Sequence, residues 1–227
     1  FEESIFVARQ KSIECMALNI YHEARSLSTA GQLAVAQVTL NRVQSQKYPN
    51  TICEVVYQGK HWVAKDGILS CTGKKGSQWI ATKKEFSNFD LRLEYKIPTD
   101  GNSGVFIRAP KEGNPWVTGL EIQVLDDYGP KWKDLKPDQL TAAIYAVQPP
   151  SERATKKAGE WQTIRIRCNG DQCCVWINGK CIIDANLTKL APKAKNVTGL
   201  KRTQGFIGLQ NHASPVHFRY IQIKQLK

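Results

Sequence analysis

Glu121 and Gln123 alternate with Leu120, Ile122 and Val124, so a strand there would carry a carboxyl and an amide on one face, with Asp126 at its end. Arg108 closes the apolar run Val105-Phe106-Ile107, just after the glycine-bearing turn Asp100-Gly101-Asn102-Ser103-Gly104. His212 follows a third run, Phe206-Ile207-Gly208-Leu209-Gln210. If the three strands are neighbours, a carboxylate, a guanidinium and an imidazole converge on one groove. Such a set can take a proton, return one to a leaving atom, and hold the anion formed between the two events. A second carboxyl of interest is Glu23, at the end of a helical apolar stripe with His22 and Arg25 beside it. Desolvation there would raise its pKa and suit it to donating a proton.

The elements that must position these groups change character near residue 60. Before it, Ile13, Met16, Ala17, Ile20, Tyr21 and Ala24 recur at the spacing of one helix face. After a break at Ser26-Leu27-Ser28, Thr29 with Gln32 reads as a capping box. Leu33, Ala36, Leu40 and Val43 then carry a second stripe, and Pro49-Asn50 is expected to end the helical part.

Beyond residue 60 the pattern is strand. Phe89, Leu91, Leu93, Tyr95 and Ile97 alternate with polar residues, as do Ile164, Ile166 and Cys168. Asn178-Gly179 between Val175-Trp176-Ile177 and Cys181-Ile182-Ile183 signals a hairpin, because Asn-Gly supplies the two positive-φ residues of a type I′ turn. Further strands are expected at 68–71, 104–109, 205–210 and 216–224. Eight or so short alternating strands predict a mainly β protein: an antiparallel jelly-roll sandwich over 61–227, preceded by a short α-helical segment over 1–60. The Pro130 to Pro150 stretch reads as a long loop bordering a binding site. Trp79, Trp116, Trp132 and Trp161 could stack on a ring-shaped ligand, although Trp161, like Trp176, also reads as core.

No run approaches the roughly 18 apolar residues of a membrane helix. The chain opens without a basic then apolar leader, so a signal peptide is expected to be absent or already removed. The net charge of +12 is uneven: residues 1–60 hold six basic and five acidic side chains, residues 61–227 hold 26 and 15. The lysines are scattered and lack an aromatic-interleaved stripe, so nucleic acid is not the expected partner. Seven cysteines match no zinc spacing, and their odd number leaves at least one thiol unpaired within the chain. Cys168, Cys174 and Cys181 fall in strand patterns, where a thiol behaves as a small apolar group. Asp126-Asp127 is an acidic turn that could hold a divalent metal such as calcium.

Two families are visible in the motifs. Asn19-Ile-Tyr-His-Glu-Ala-Arg25, Gly31-Gln-Leu-Ala-Val-Ala-Gln37 and Tyr48-Pro-Asn-Thr-Ile-Cys-Glu-Val-Val-Tyr57 resemble the first half of the spore-cortex-lytic cell-wall hydrolases, over about 12–58. That resemblance implies Glu23 as the acid that cleaves peptidoglycan. Trp62-Val-Ala-Lys-Asp-Gly-Ile-Leu-Ser-Cys-Thr-Gly73, Gly101-Asn-Ser-Gly-Val-Phe-Ile-Arg-Ala109, Thr118-Gly-Leu-Glu-Ile-Gln-Val-Leu-Asp-Asp127 and Gly208-Leu-Gln-Asn-His212 resemble the 3-keto-disaccharide hydrolase domain, over about 61–227.

The second resemblance implies a concanavalin-like sandwich in a periplasmic or secreted protein, acting on an oligosaccharide or glycoside; the first implies cell-wall glycan as a further partner. A 3-keto sugar has an acidified C–H beside its carbonyl, so its glycosidic bond can leave by elimination, followed by addition of water. The base would be Glu121, Asp126 or His212, and the group holding the enolate Arg108 or a metal. Gln123, Asn102, Tyr145, Trp116 and Asn211 are the candidate substrate contacts. The alternatives are a non-catalytic carbohydrate-binding module and a peptidoglycan hydrolase working through Glu23.

Overall fold

The computed structural model describes residues 2–47, 50–56, 61–74 and 79–227, the side chains of 2–4, 22 and 54 excepted. The chain divides into two compact units, Phe1–Lys60 and His61–Lys227.

In the first unit, α1 (Glu2–Ala24), α2 (Thr29–Gln44) and α3 (Ile52–Val56) pack on one another. The cap of α2 is Ser28, whose hydroxyl accepts from Gly31 N at 3.4 Å, rather than Thr29, which is the first helical residue. The helical part also continues past Asn50 into α3; Pro49 lies outside the described residues. A disulfide joins Cys15 of α1 to Cys53 of α3, a pairing the sequence had left open. Among the described residues few side chains are buried, including Cys15, Ala24, Thr39, Val55 and Val56, while Ile13 and Leu33 of the expected apolar stripes stay exposed.

The second unit is two antiparallel sheets. The larger contains β1 (Trp62–Lys65), β2 (Ile68–Cys71), β4 (Phe89–Lys96), β7 (Gln162–Asn169), β8 (Gln172–Ile177), β9 (Lys180–Asn186) and β11 (His217–Gln225), in the order β1-β2-β11-β4-β7-β8-β9. The smaller contains β3 (Trp79–Ala81), β5 (Asn102–Ala109), β6 (Leu120–Leu125) and β10 (Phe206–Gln210), in the order β3-β10-β5-β6. One face of each sheet meets the other in a single core, with Phe89, Leu91, Leu93 and Tyr95 from the larger facing Val105, Ile107, Leu120 and Ile122 from the smaller. The β8–β9 turn has Asn178 at φ 49° and Gly179 at φ 86°, as the Asn-Gly pair dictates.

Two short strands escape the sequence patterns, β1 and β3. Several inward assignments also change. Cys181 is exposed and Cys174 half-buried, since odd and even positions of a hairpin face opposite ways; Cys168 and Cys173 are the buried pair. Trp176 lies on the outer face with the Arg165 guanidinium 4.7 Å above its ring. Trp161, half-buried, carries Arg219 at 4.0 Å.

Candidate active site

A cavity of about 340 Å³ opens on the outer face of the smaller sheet. Alternation builds its floor. Along β6, Leu120, Ile122 and Val124 enter the core, which turns Glu121 and Gln123 into the cavity. Along β5 and β10, the same parity turns Asn102, Phe106 and Gln210 toward it. Phe106 and Glu121 are direct cross-strand partners. A wall comes from the Pro130 to Pro150 stretch, which is more ordered than a loop. Ala142 N donates to Gln123 O (2.8 Å) and Tyr145 N to Glu121 O (2.9 Å), so this segment runs beside β6 and sets Tyr145 at the rim. The short helix α4 (Pro115–Thr118) brings Trp116 edge-on to Tyr145, ring centroids 5.6 Å apart. His212, exposed, stands at the mouth, after Asn211.

Glu121 is the dominant group. It is only 4% exposed, and burial pushes its carboxyl up to about 8, a hydrogen bond from Gln210 offsetting part of the rise. The carboxyl is therefore largely protonated at neutral pH, beside a cavity that a ligand can enter. Gly104 makes room for it: a Cβ there would overlap Glu121 Oε1. Asn102 Oδ1 and Gln210 Oε1 are both buried without a hydrogen-bond partner among the described residues. Two unsatisfied acceptors beside a cavity favour a ligand rich in hydroxyl donors. Tyr145 Oη accepts from Gln139 Nε2 (3.1 Å), which leaves its own proton uncommitted.

Glu121, His212, Gln123, Asn102, Tyr145, Trp116 and Asn211 thus share one cavity; Arg108 and Asp126 do not. The expected convergence of Arg108 fails because β5 carries a bulge. Ala109 pairs with Phe206 and Phe106 with Gly208, so β5 spends one residue more than β10 over this stretch. Arg108, at φ 50°, absorbs the extra residue, and the parity of facing flips. Its guanidinium reaches toward the other sheet and donates to Arg202 O (3.1 Å), Ser87 O (3.1 Å) and Gly170 O (2.6 Å). It is a structural tie, 1% exposed.

Asp126 is corrected likewise. Its carboxylate accepts from Asp100 N (3.0 Å) and Tyr128 N (3.4 Å), closing the turn after β6. Asp127 accepts from Thr141 N (2.8 Å) and Thr155 Oγ1 (3.0 Å), and burial raises its pKa. The two carboxylates serve different partners, and among the described residues no three His, Cys, Asp or Glu side chains gather as metal ligands. Asn211 lines the cavity, but its amide is occupied: Nδ2 donates to Lys74 O (3.0 Å) and Oδ1 accepts from Ala213 N (3.1 Å).

Gln210 and Phe106 were overlooked by sequence reasoning, although the parity that selected Glu121 also selects them. Of the tryptophans, Trp116 lines the cavity, whereas Trp79 packs edge-on against Phe106 at 5.6 Å and Trp132 lies under Lys131. In the helical unit, Glu23 lines a separate hollow with Asn19, Thr39 and Arg42.

A closed sandwich presenting a protonated carboxyl in a hydroxyl-hungry cavity defines a carbohydrate-active class of protein. The chain belongs to the family of 3-keto-alpha-glucoside-1,2-lyase-like domains, which matches residues 44–224. It is 28% identical over 203 residues to the 3-keto-disaccharide hydrolase of Bacteroides thetaiotaomicron, covering 73% of this chain and 70% of that one. A solved structure from Parabacteroides distasonis, described as a candidate glycosyl hydrolase, superposes with a TM-score of 0.67 at 31% identity, covering 75% of this chain and 92% of that one. The helical part is 42% identical over 64 residues to the spore cortex-lytic enzyme of Bacillus cereus, and the match spans 28% of this chain but only 25% of that enzyme's length.

Proposed function

We propose that the cavity binds a 3-keto glycoside and cleaves it by elimination and rehydration, with Glu121 as general acid and His212 as general base. The observation that carries this reading is the buried Glu121 carboxyl, held protonated to about pH 8 beside an open cavity. In the first step the His212 imidazole takes the proton from C2, which the C3 carbonyl acidifies. The C2–H electrons are held as an enolate on the C3 oxygen and then form the C1–C2 double bond as the C1–O bond breaks, and Glu121 gives its proton to the departing oxygen. The Tyr145 hydroxyl, its proton free, is the donor in the cavity that suits the enolate oxygen in place of Arg108. In the second step the Glu121 carboxylate takes a proton from water adding at C1, and the imidazolium returns one to C2. Both groups end as they began, and the sum is hydrolysis.

Asn102 Oδ1 and Gln210 Oε1 accept sugar hydroxyls in this reading, and the half-buried Trp116 offers an apolar face to the ring. The Cys15–Cys53 bridge supports an oxidising compartment, the periplasm or the exterior. Incubation with a 3-keto-glucoside bearing a chromogenic aglycone is the test. Wild-type protein should release the aglycone, and Glu121→Gln should slow release by roughly 10²-fold or more. Binding of the glycoside without release by wild-type protein would instead make the sandwich a carbohydrate-binding module.

A further inference from the structure

The outer face of the larger sheet holds charge that the sugar cavity lacks. Among the described residues lining that cavity there is no lysine or arginine. On the opposite sheet, a hollow of about 510 Å³ is lined by Arg92, Arg165, Arg167 and Lys224 around one carboxylate, Asp90.

Strand register makes this array regular. Gln222, Arg92, Arg165 and Trp176 are successive cross-strand partners over β11, β4, β7 and β8; Lys224, Asp90, Arg167 and Cys174 form the next row. Neighbouring strands lie about 4.8 Å apart and the two rows roughly 7 Å apart. Arg165 is spent on Asp90, through Nε at 2.9 Å and Nη2 at 2.5 Å. Arg92 touches the same carboxylate only at 3.5 Å, and its side chain is 60% exposed. Arg167 and Lys224 are exposed and have no carboxylate partner among the described residues. Three cations therefore surround a carboxylate already neutralised by a fourth.

We infer that this face is a second binding site, for a carboxylate-bearing polysaccharide such as a polyuronate. A guanidinium holds a carboxylate through paired, charge-assisted hydrogen bonds, as Arg165 already does with Asp90. Asp90 and Gln222 add acceptors, which match the hydroxyls that a uronic acid carries beside its carboxylate. A nucleic-acid backbone offers phosphates but few such donors, and the Trp176 ring here is capped by Arg165 instead of free to stack on a base. The site is independent of the reaction assigned to the other sheet: one face takes a neutral sugar, the other an acidic chain that holds the protein near its substrate.

Affinity electrophoresis of the full chain through gels containing polygalacturonate or uncharged dextran tests it. Polygalacturonate should retard the protein, dextran should not, and raising salt from 50 to 500 mM should release it. The triple variant Arg92→Gln/Arg167→Gln/Lys224→Gln should bind polygalacturonate at least about tenfold more weakly while keeping the wild-type circular dichroism spectrum. A second variant, Lys131→Gln/Lys133→Gln/Lys136→Gln, removes equal charge from the Pro130 to Pro150 segment and should bind as wild type does. The inference is overturned if the two triple variants weaken binding equally, if dextran retards the protein as strongly, or if duplex DNA binds more tightly than polygalacturonate.

Discussion

At the scale of the residue, Glu121 sets the pH behaviour of the protein. Its folded-state pKa stands at about 8, above the roughly 4.3 of a free glutamate. The folded chain thus keeps a proton that the unfolded chain gives up as pH rises through that lower value. Stability from this group is full below about pH 4 and is lost as pH climbs toward 8, at about 1.4 kcal/mol per pH unit. Glu121→Gln, which never ionises, should therefore unfold at a higher temperature than wild type at pH 8 while matching it near pH 4, as differential scanning calorimetry would reveal. Gly104 belongs to the same argument. Gly104→Ala pushes a methyl into the Glu121 carboxyl, so catalysis should fall by about tenfold or more while circular dichroism shows the sandwich intact.

At the scale of the element, alternation carried most of the information and one bulge removed part of it. Leu120 to Leu125 showed its inward and outward faces in the residues themselves, and Glu121 and Gln123 fell where the pattern put them. The same reasoning misplaced Arg108, because a strand with one extra residue keeps its apolar run while its facing inverts. Nothing in Val105-Phe106-Ile107-Arg108-Ala109 announces a positive φ at an arginine. The three carbonyls that hold the guanidinium come from segments 21 to 94 residues away in sequence. Asp126 was misread for a related reason: an acidic residue at a strand end can cap a turn as readily as face a ligand. Arg108→Met should leave those carbonyls buried and unpaired, lowering stability by about 3 kcal/mol in urea unfolding.

At the scale of the whole molecule, two units carry different means of support. The sandwich has a continuous core from Phe86 to Phe218. The helical unit buries few side chains and has a covalent link, Cys15–Cys53, enclosing 38 residues of sequence separation. Such a link contributes about 3 kcal/mol in a small unit. Reduction should lower the helical unfolding transition while leaving that of the sandwich in place, which far-ultraviolet circular dichroism against temperature would resolve. The break near residue 60 was legible because the apolar period changes from helix to strand there. The placement of strands into two sheets was not, since pairing joins β11 to β2 and β4 across more than a hundred residues.

The pH dependence of 3-keto-glucoside cleavage tests the central assignment most directly. With Glu121 donating its proton to the leaving oxygen, kcat should hold through neutral pH and fall tenfold per unit above about 8, and the residual rate of Glu121→Gln, lower by roughly 10²-fold or more, should lack that alkaline limb. A rate that keeps rising through pH 9, or a Glu121→Gln variant as fast as wild type, would contradict the account.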